Sequence, residues 1–65
     1  MHPPPFNKLL FQYRSDPKSA HLRFGQWFIV NYLREVNNPT LFYEVDIANC
    51  LDIIEEYYRN YQWEL

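Results

Sequence analysis

Residues 22–36 read LRFGQWFIVNYLREV, and the fold follows from how this stretch is placed. At about 100° per residue, Leu22, Gly25, Phe28, Ile29, Tyr32, Leu33 and Val36 fall on one broad face. That spacing predicts an amphipathic helix at the middle of a small helical bundle. Gly25 lies within the apolar face, where glycine costs up to ~1 kcal/mol relative to alanine. Close approach of a second helix would explain it; a tolerated glycine is the alternative. Phe24 and Trp27 lie off that face, with Ala20 beside them and Val30 nearer its border. Arg23 and Arg34 fall almost on the Trp27 line.

The helix should begin near Pro17. Asp16 can cap it with a side-chain oxygen, and a proline at the first helical position loses no hydrogen bond. Asn37, Asn38 and Pro39 stop it, which predicts a helix over about 17–37. Upstream, His2 to Pro5 form an extended proline-rich leader over 1–5, because each proline keeps the residue before it out of the helical region. Phe6, Leu9, Leu10 and Tyr13 then recur at helical offsets, a short helix over about 6–14. Downstream, Asn38-Pro39 is a further cap signal, and 39–45 is expected to be a short turn or irregular segment. An alternative for residues 40 to 45 is a strand paired across a dimer.

Asp46 caps a last helix, about 46–62, and Val45 and Cys50 hold the positions of a hydrophobic staple. Ile47, Cys50, Leu51, Ile53, Ile54, Tyr57, Tyr58 and Tyr61 share its apolar face, and Asp52, Glu55, Glu56, Arg59 and Asn60 share the other. Glu55 and Arg59 are an i, i+4 pair in the favourable order. Residues 1–65 therefore read as a single all-α domain, a small three-helix bundle.

Sixty-five residues stand near the lower end of what folds without a metal or disulfide framework. Six tyrosines, five phenylalanines and two tryptophans supply large buried rings in compensation. Self-association would add further burial. One cysteine excludes an internal disulfide, and no apolar run approaches the length of a membrane span. The opening MHPPPF has neither the basic nor the apolar region of a signal peptide, so cytoplasmic residence is expected.

The net charge of −2 conceals an asymmetry. Lys8, Arg14, Lys18, Arg23 and Arg34 oppose Asp16 alone in the first part, a balance of +4. Glu35, Glu44, Asp46, Asp52, Glu55, Glu56 and Glu64 oppose Arg59 alone in the second, a balance of −6. Either the two parts fold against each other and partly neutralise, or each shows one sign of charge to a partner.

Catalysis finds little support. A nucleophile needs a base within hydrogen-bond reach and a third group to orient that base. Cys50, Ser15, Ser19, His2 and His21 are the few candidates, and Cys50 sits on an apolar face where a thiol is packing material. Asp52, Glu55 and Glu56 have no accompanying histidine, so no metal and no cofactor is expected. A single glycine cannot build a phosphate-cradling loop.

What remains is a binding surface. Tryptophan and arginine are enriched where binding energy concentrates, which makes Arg23, Phe24, Trp27 and Arg34 the expected partner-binding stripe. The competing possibility is that Phe24 and Trp27 belong to the core, covered by the first helix or the leader. A protein partner or a second copy of the chain suits the stripe best. Single-stranded nucleic acid could also stack on an exposed tryptophan, but six Lys and Arg make a weak basic footprint. As a third possibility, the acidic part could occupy a basic surface on another protein, as phage-type inhibitors do.

The segments RFGQWF at Arg23 to Phe28 and LFYEVD at Leu41 to Asp46 together resemble a pattern in small uncharacterised proteins of bacteria and their phages. The resemblance implies a bacterial or phage setting and no activity. The reading is thus a non-enzymatic interaction module. Trp27→Ala separates the two placements of the stripe: helicity survives and binding is lost if Trp27 is exposed, whereas circular dichroism reports unfolding if it is core.

Overall fold

The computed structural model describes residues 3–33 and 37–61. Among these the chain is helical throughout its regular structure: α1 is Leu9–Ser15, α2 Phe24–Tyr32, α3 Pro39–Tyr43 and α4 Ile47–Asn60. Single 3-10 turns at Phe6–Lys8 and Pro17–His21 precede α1 and α2. The all-α bundle expected from the sequence forms, with α2 at its centre in contact with α1, α3 and α4.

Three short polar side chains set the helix starts. Asp16 Oδ1 accepts from the Lys18 N–H at 3.0 Å, Asn38 Oδ1 from the Leu41 N–H at 3.1 Å, and Asp46 Oδ1 from the Ala48 N–H at 2.8 Å. Each satisfies a donor that a first helical turn leaves without a partner. The segment 39–45 is accordingly a single turn of helix followed by a bend, with no strand among the described residues.

The helix expected over 17–37 is broken. Leu22 and Arg23 are extended (φ −131°, ψ 138° and φ −68°, ψ 160°), so the 3-10 turn and α2 are separate. The Tyr13 hydroxyl donates to the Leu22 carbonyl at 2.6 Å, occupying an acceptor that a continuous helix would have used internally. Arg23 offers no side-chain acceptor for a cap; instead Gln26 Oε1 accepts from the Arg23 N–H at 3.1 Å. At its other end α2 closes at Leu33, and the expected extension through residues 34–36 lies outside the described residues.

Because of that break the 3-10 turn and α1 fold back over α2. Phe24, Gly25, Trp27, Phe28 and Ile29 are all buried, leaving Val30 as the exposed large apolar residue of that helix. A helix apolar around most of its girth belongs inside a fold. Leu9, Leu33, Leu41, Cys50 and Ile54 complete the core, and the tyrosines of α4 pack around it half-buried. The expected staple does not form: Val45 is 72% exposed while Cys50 is buried.

The proline leader is extended at Pro5 (φ −53°, ψ 144°), and the Tyr58 hydroxyl donates to the Pro4 carbonyl. The Phe6 ring meets Tyr58 edge-on at 5.3 Å. Burial, and secondarily the neighbouring Tyr32 phenol, pushes the Tyr58 phenol up to about 12, which keeps it a donor at every ordinary pH.

Gly25 has a steric reason. A Cβ built there would lie 2.3 Å from the Leu41 carbonyl oxygen and 2.9 Å from its Cδ1. Gly25→Ala should therefore destabilise by about 1–3 kcal/mol through overpacking, although alanine is the better helix former by ~1 kcal/mol. Trp27→Ala, which empties the largest buried side chain, should cost about 3–5 kcal/mol. Thermal melts followed by circular dichroism test both against Phe11→Ala, an exposed site expected to move stability by less than about 0.5 kcal/mol.

Candidate functional site

Of the residues expected to form one stripe, the structure describes Arg23, Phe24 and Trp27, and it separates the arginine from the two rings. Phe24 and Trp27 are 3% and 2% exposed, so neither presents a surface to a partner. Their rings stack at 6.1 Å, and Tyr13 meets them edge-on at 5.2 and 5.5 Å. Tyr32 closes over Trp27 from another side at 5.7 Å. The expectation of an exposed Trp27 assumed one helix through 17–37; the break at Leu22 and Arg23 turns α1 onto that side instead. Arg34 lies outside the described residues.

The Trp27 indole still needs a hydrogen-bond partner once buried. Nε1 donates to Asp16 Oδ2 at 2.8 Å, so one carboxylate caps the 3-10 turn and holds the central tryptophan. The Trp27 bond, then the Lys18 backbone bond, pulls the Asp16 carboxyl below its ordinary value.

Among the described residues of the stripe Arg23 is the exposed one, and it borders an open groove of about 650 Å³. Tyr13, Ser19, His21, Gln26 and Tyr43 line the groove with it. The Arg23 Nη1 is 3.5 Å from the Tyr43 carbonyl, a long contact that fixes one edge of the guanidinium. Tyr43 is 67% exposed, its ring edge-on to Phe42 at 5.1 Å. An arginine and an exposed tyrosine are thus side by side on a concave surface, with hydroxyl, amide and imidazole groups around them and no carboxylate in the lining.

Tyr43 was missing from the sequence-derived site. Its signal was Asn38-Pro39: a cap there starts a turn that sends Leu41 inward, so Tyr43, two residues on, points away from the core.

Cys50 is buried, with Sγ 3.7 Å from the Glu44 carbonyl. Desolvation pushes its thiol up, against a Gly25 backbone hydrogen bond acting the other way, so the sulfur stays protonated. Among the described residues no three of His, Cys, Asp and Glu converge to hold a metal ion. Asp52, Glu55 and Glu56 are exposed along the outer side of α4, where Glu55 pairs with Arg59 at 3.5 Å. None of the helices among the described residues is long and apolar enough to cross a membrane.

No protein-family model, curated protein or solved structure matches the chain.

The Asp16 carboxylate gives a pH prediction. A carboxyl depressed by folding stabilises the fold fully above its ordinary value of 3.8, and that contribution disappears as pH falls through the lower folded-state value. The thermal midpoint of the native chain should therefore fall on acidification in that range. Asp16→Asn, which keeps an acceptor but cannot ionise, should start lower and lose less over the same interval, as measured by pH-dependent melts.

Proposed function

We propose that this chain is a non-enzymatic protein-interaction module of the cytoplasm whose contact surface is the groove between Arg23 and Tyr43. The observation that carries this is the pairing of an outward arginine with a 67% exposed tyrosine on one concave surface, in a chain that packs Phe24, Trp27 and Phe28 away. Tyrosine combines apolar area with a directed hydroxyl at little conformational cost, and arginine adds a planar fork of donors; both are enriched where binding energy concentrates. The hydroxyls of Ser19 and Tyr43 and the His21 imidazole add polar groups that orient a partner.

Nucleic acid is the poorer occupant. A strand-binding surface needs a ring on which bases stack along a basic track, and Trp27, the ring proposed for it, is in the core. Arg23 is the one lysine or arginine among the residues that line the groove.

A photo-crosslinking residue placed at Tyr43 tests the proposal in the native host. Protein adducts should form from position 43 and diminish at least about tenfold with Arg23→Ala, a loss of the size expected for one hot-spot side chain. Position 11, equally exposed on α1 but outside the groove lining, should give none. Absence of protein adducts at 43, or adducts with nucleic acid in their place, would overturn it.

A further inference from the structure

The chain has six tyrosines, and their hydroxyls are not equally available. Tyr13 donates to the Leu22 carbonyl, Tyr58 donates to the Pro4 carbonyl, and the Tyr57 hydroxyl accepts from Asn38 Nδ2 at 2.8 Å. Those three, with Tyr32 and Tyr61, are half-buried, and their rings pack against other aromatic rings. Tyr43 is the exposed one, and its hydroxyl has no partner among the described residues.

The backbone at Tyr43 is also distinctive. Helix α3 ends there, and the link to α4 is extended at Glu44 (φ −70°, ψ 132°) and at Asp46 (φ −85°, ψ 118°). An exposed, extended segment is the form in which a chain enters another protein's cleft. The two carboxylates of the link are turned to its own backbone. Glu44 Oε2 accepts from the Val45 and Asp46 N–H groups at 3.1 and 3.2 Å, and Asp46 Oδ1 accepts from the Ala48 N–H at 2.8 Å. On the groove side the charged neighbour of Tyr43 is Arg23, whose Nη1 reaches the Tyr43 carbonyl at 3.5 Å. The other guanidinium donors are unclaimed among the described residues.

We propose that Tyr43 is a site of phosphorylation and that Arg23 receives the phosphate. The step is phosphoryl transfer from a nucleoside triphosphate, catalysed by a separate transferase. Tyr43 Oη attacks the γ-phosphorus; an Oη–P bond forms as the bond from that phosphorus to the bridging oxygen breaks. The hydroxyl proton passes to a base of the transferase, and a nucleoside diphosphate leaves. Phosphotyrosine carries about −1.5 to −2 charge near pH 7 and three acceptor oxygens, and one guanidinium can meet two of them with its planar donors. Ser19 and His21, in the same lining, add a hydroxyl and an imidazole. Glu44 and Asp46 oppose the added charge, and their bonds to backbone amides limit that opposition. The modification concerns the tyrosine itself and holds whether or not a protein occupies the groove.

Mass spectrometry of the full chain, purified from its native host with phosphatases inhibited, tests the site. It should find a phosphoryl group on Tyr43 and none on the half-buried tyrosines. An unmodified Tyr43, phosphate on another tyrosine in its place, or a different group on Tyr43 would overturn it. Phosphorus NMR of the phosphorylated chain against pH reads the part played by Arg23. The second ionisation of the phosphate, ordinarily at about 6, should come about half a pH unit higher in Arg23→Ala than in the native chain. Arg23→Lys, which keeps the charge, should stay close to the native value. His21, Glu44 and Asp46 also act on that phosphate, and they are unchanged in all three chains. Equal ionisation in the native and Arg23→Ala chains would overturn the assignment of Arg23 as the receiving group.

Discussion

The fold depends on how closely α2 and α3 approach at Gly25. The Leu41 carbonyl sits where a side chain on residue 25 would have to be, so the two helices meet backbone to side chain with nothing between them. That contact places Leu41 over the inner surface of α2, and it brings the chain into position to turn at Glu44 and begin α4. Cys50 then lies against the same junction, its sulfur within reach of the Gly25 backbone on one side and the Glu44 carbonyl on the other. Three helices therefore share one narrow point. A glycine that costs the isolated helix about 1 kcal/mol permits the packing that makes it stable.

The opposite side of α2 is organised by a corner. Asp16 and Tyr13 use polar atoms to hold together what the break at Leu22 and Arg23 separates: one carboxylate caps a turn and receives the Trp27 indole, and one hydroxyl donates to the Leu22 carbonyl. The rings of Tyr13, Phe24, Trp27 and Tyr32 then interlock around the result. No buried side-chain nitrogen or oxygen among the described residues lacks a hydrogen-bond partner. In so small a domain, one unpaired polar atom would consume a large part of the net stability.

Much of this was legible in the residues, for a physical reason. A cap is a local event, so Asp16, Asn38 and Asp46 declare helix starts within a few positions of themselves. The apolar face of α4 is likewise a property of one segment, and Cys50 and Ile54 are buried at its centre as the spacing indicates. The break before α2 was not legible. The apolar repeat runs through Leu22 without interruption, and what interrupts the helix is a tertiary contact from Tyr13, nine residues away. The candidate site turns on that break: a helix continuous over 17–37 leaves Phe24 and Trp27 off its core face, to be covered or not, whereas the broken one buries both, and Tyr43 lies on a turn too short for periodicity to define.

The clasp between Tyr58 and Pro4 joins residues 54 positions apart. A single hydroxyl thereby links the beginning of the described chain to the second half of its final helix, and everything between them lies inside the loop so closed. Separating the amino-terminal segment loosens the tyrosine that also supports Phe6 and stacks on Phe28 in the core. Fraying at one end is thus transmitted to the other and to the middle, so the molecule has little scope to open piecemeal.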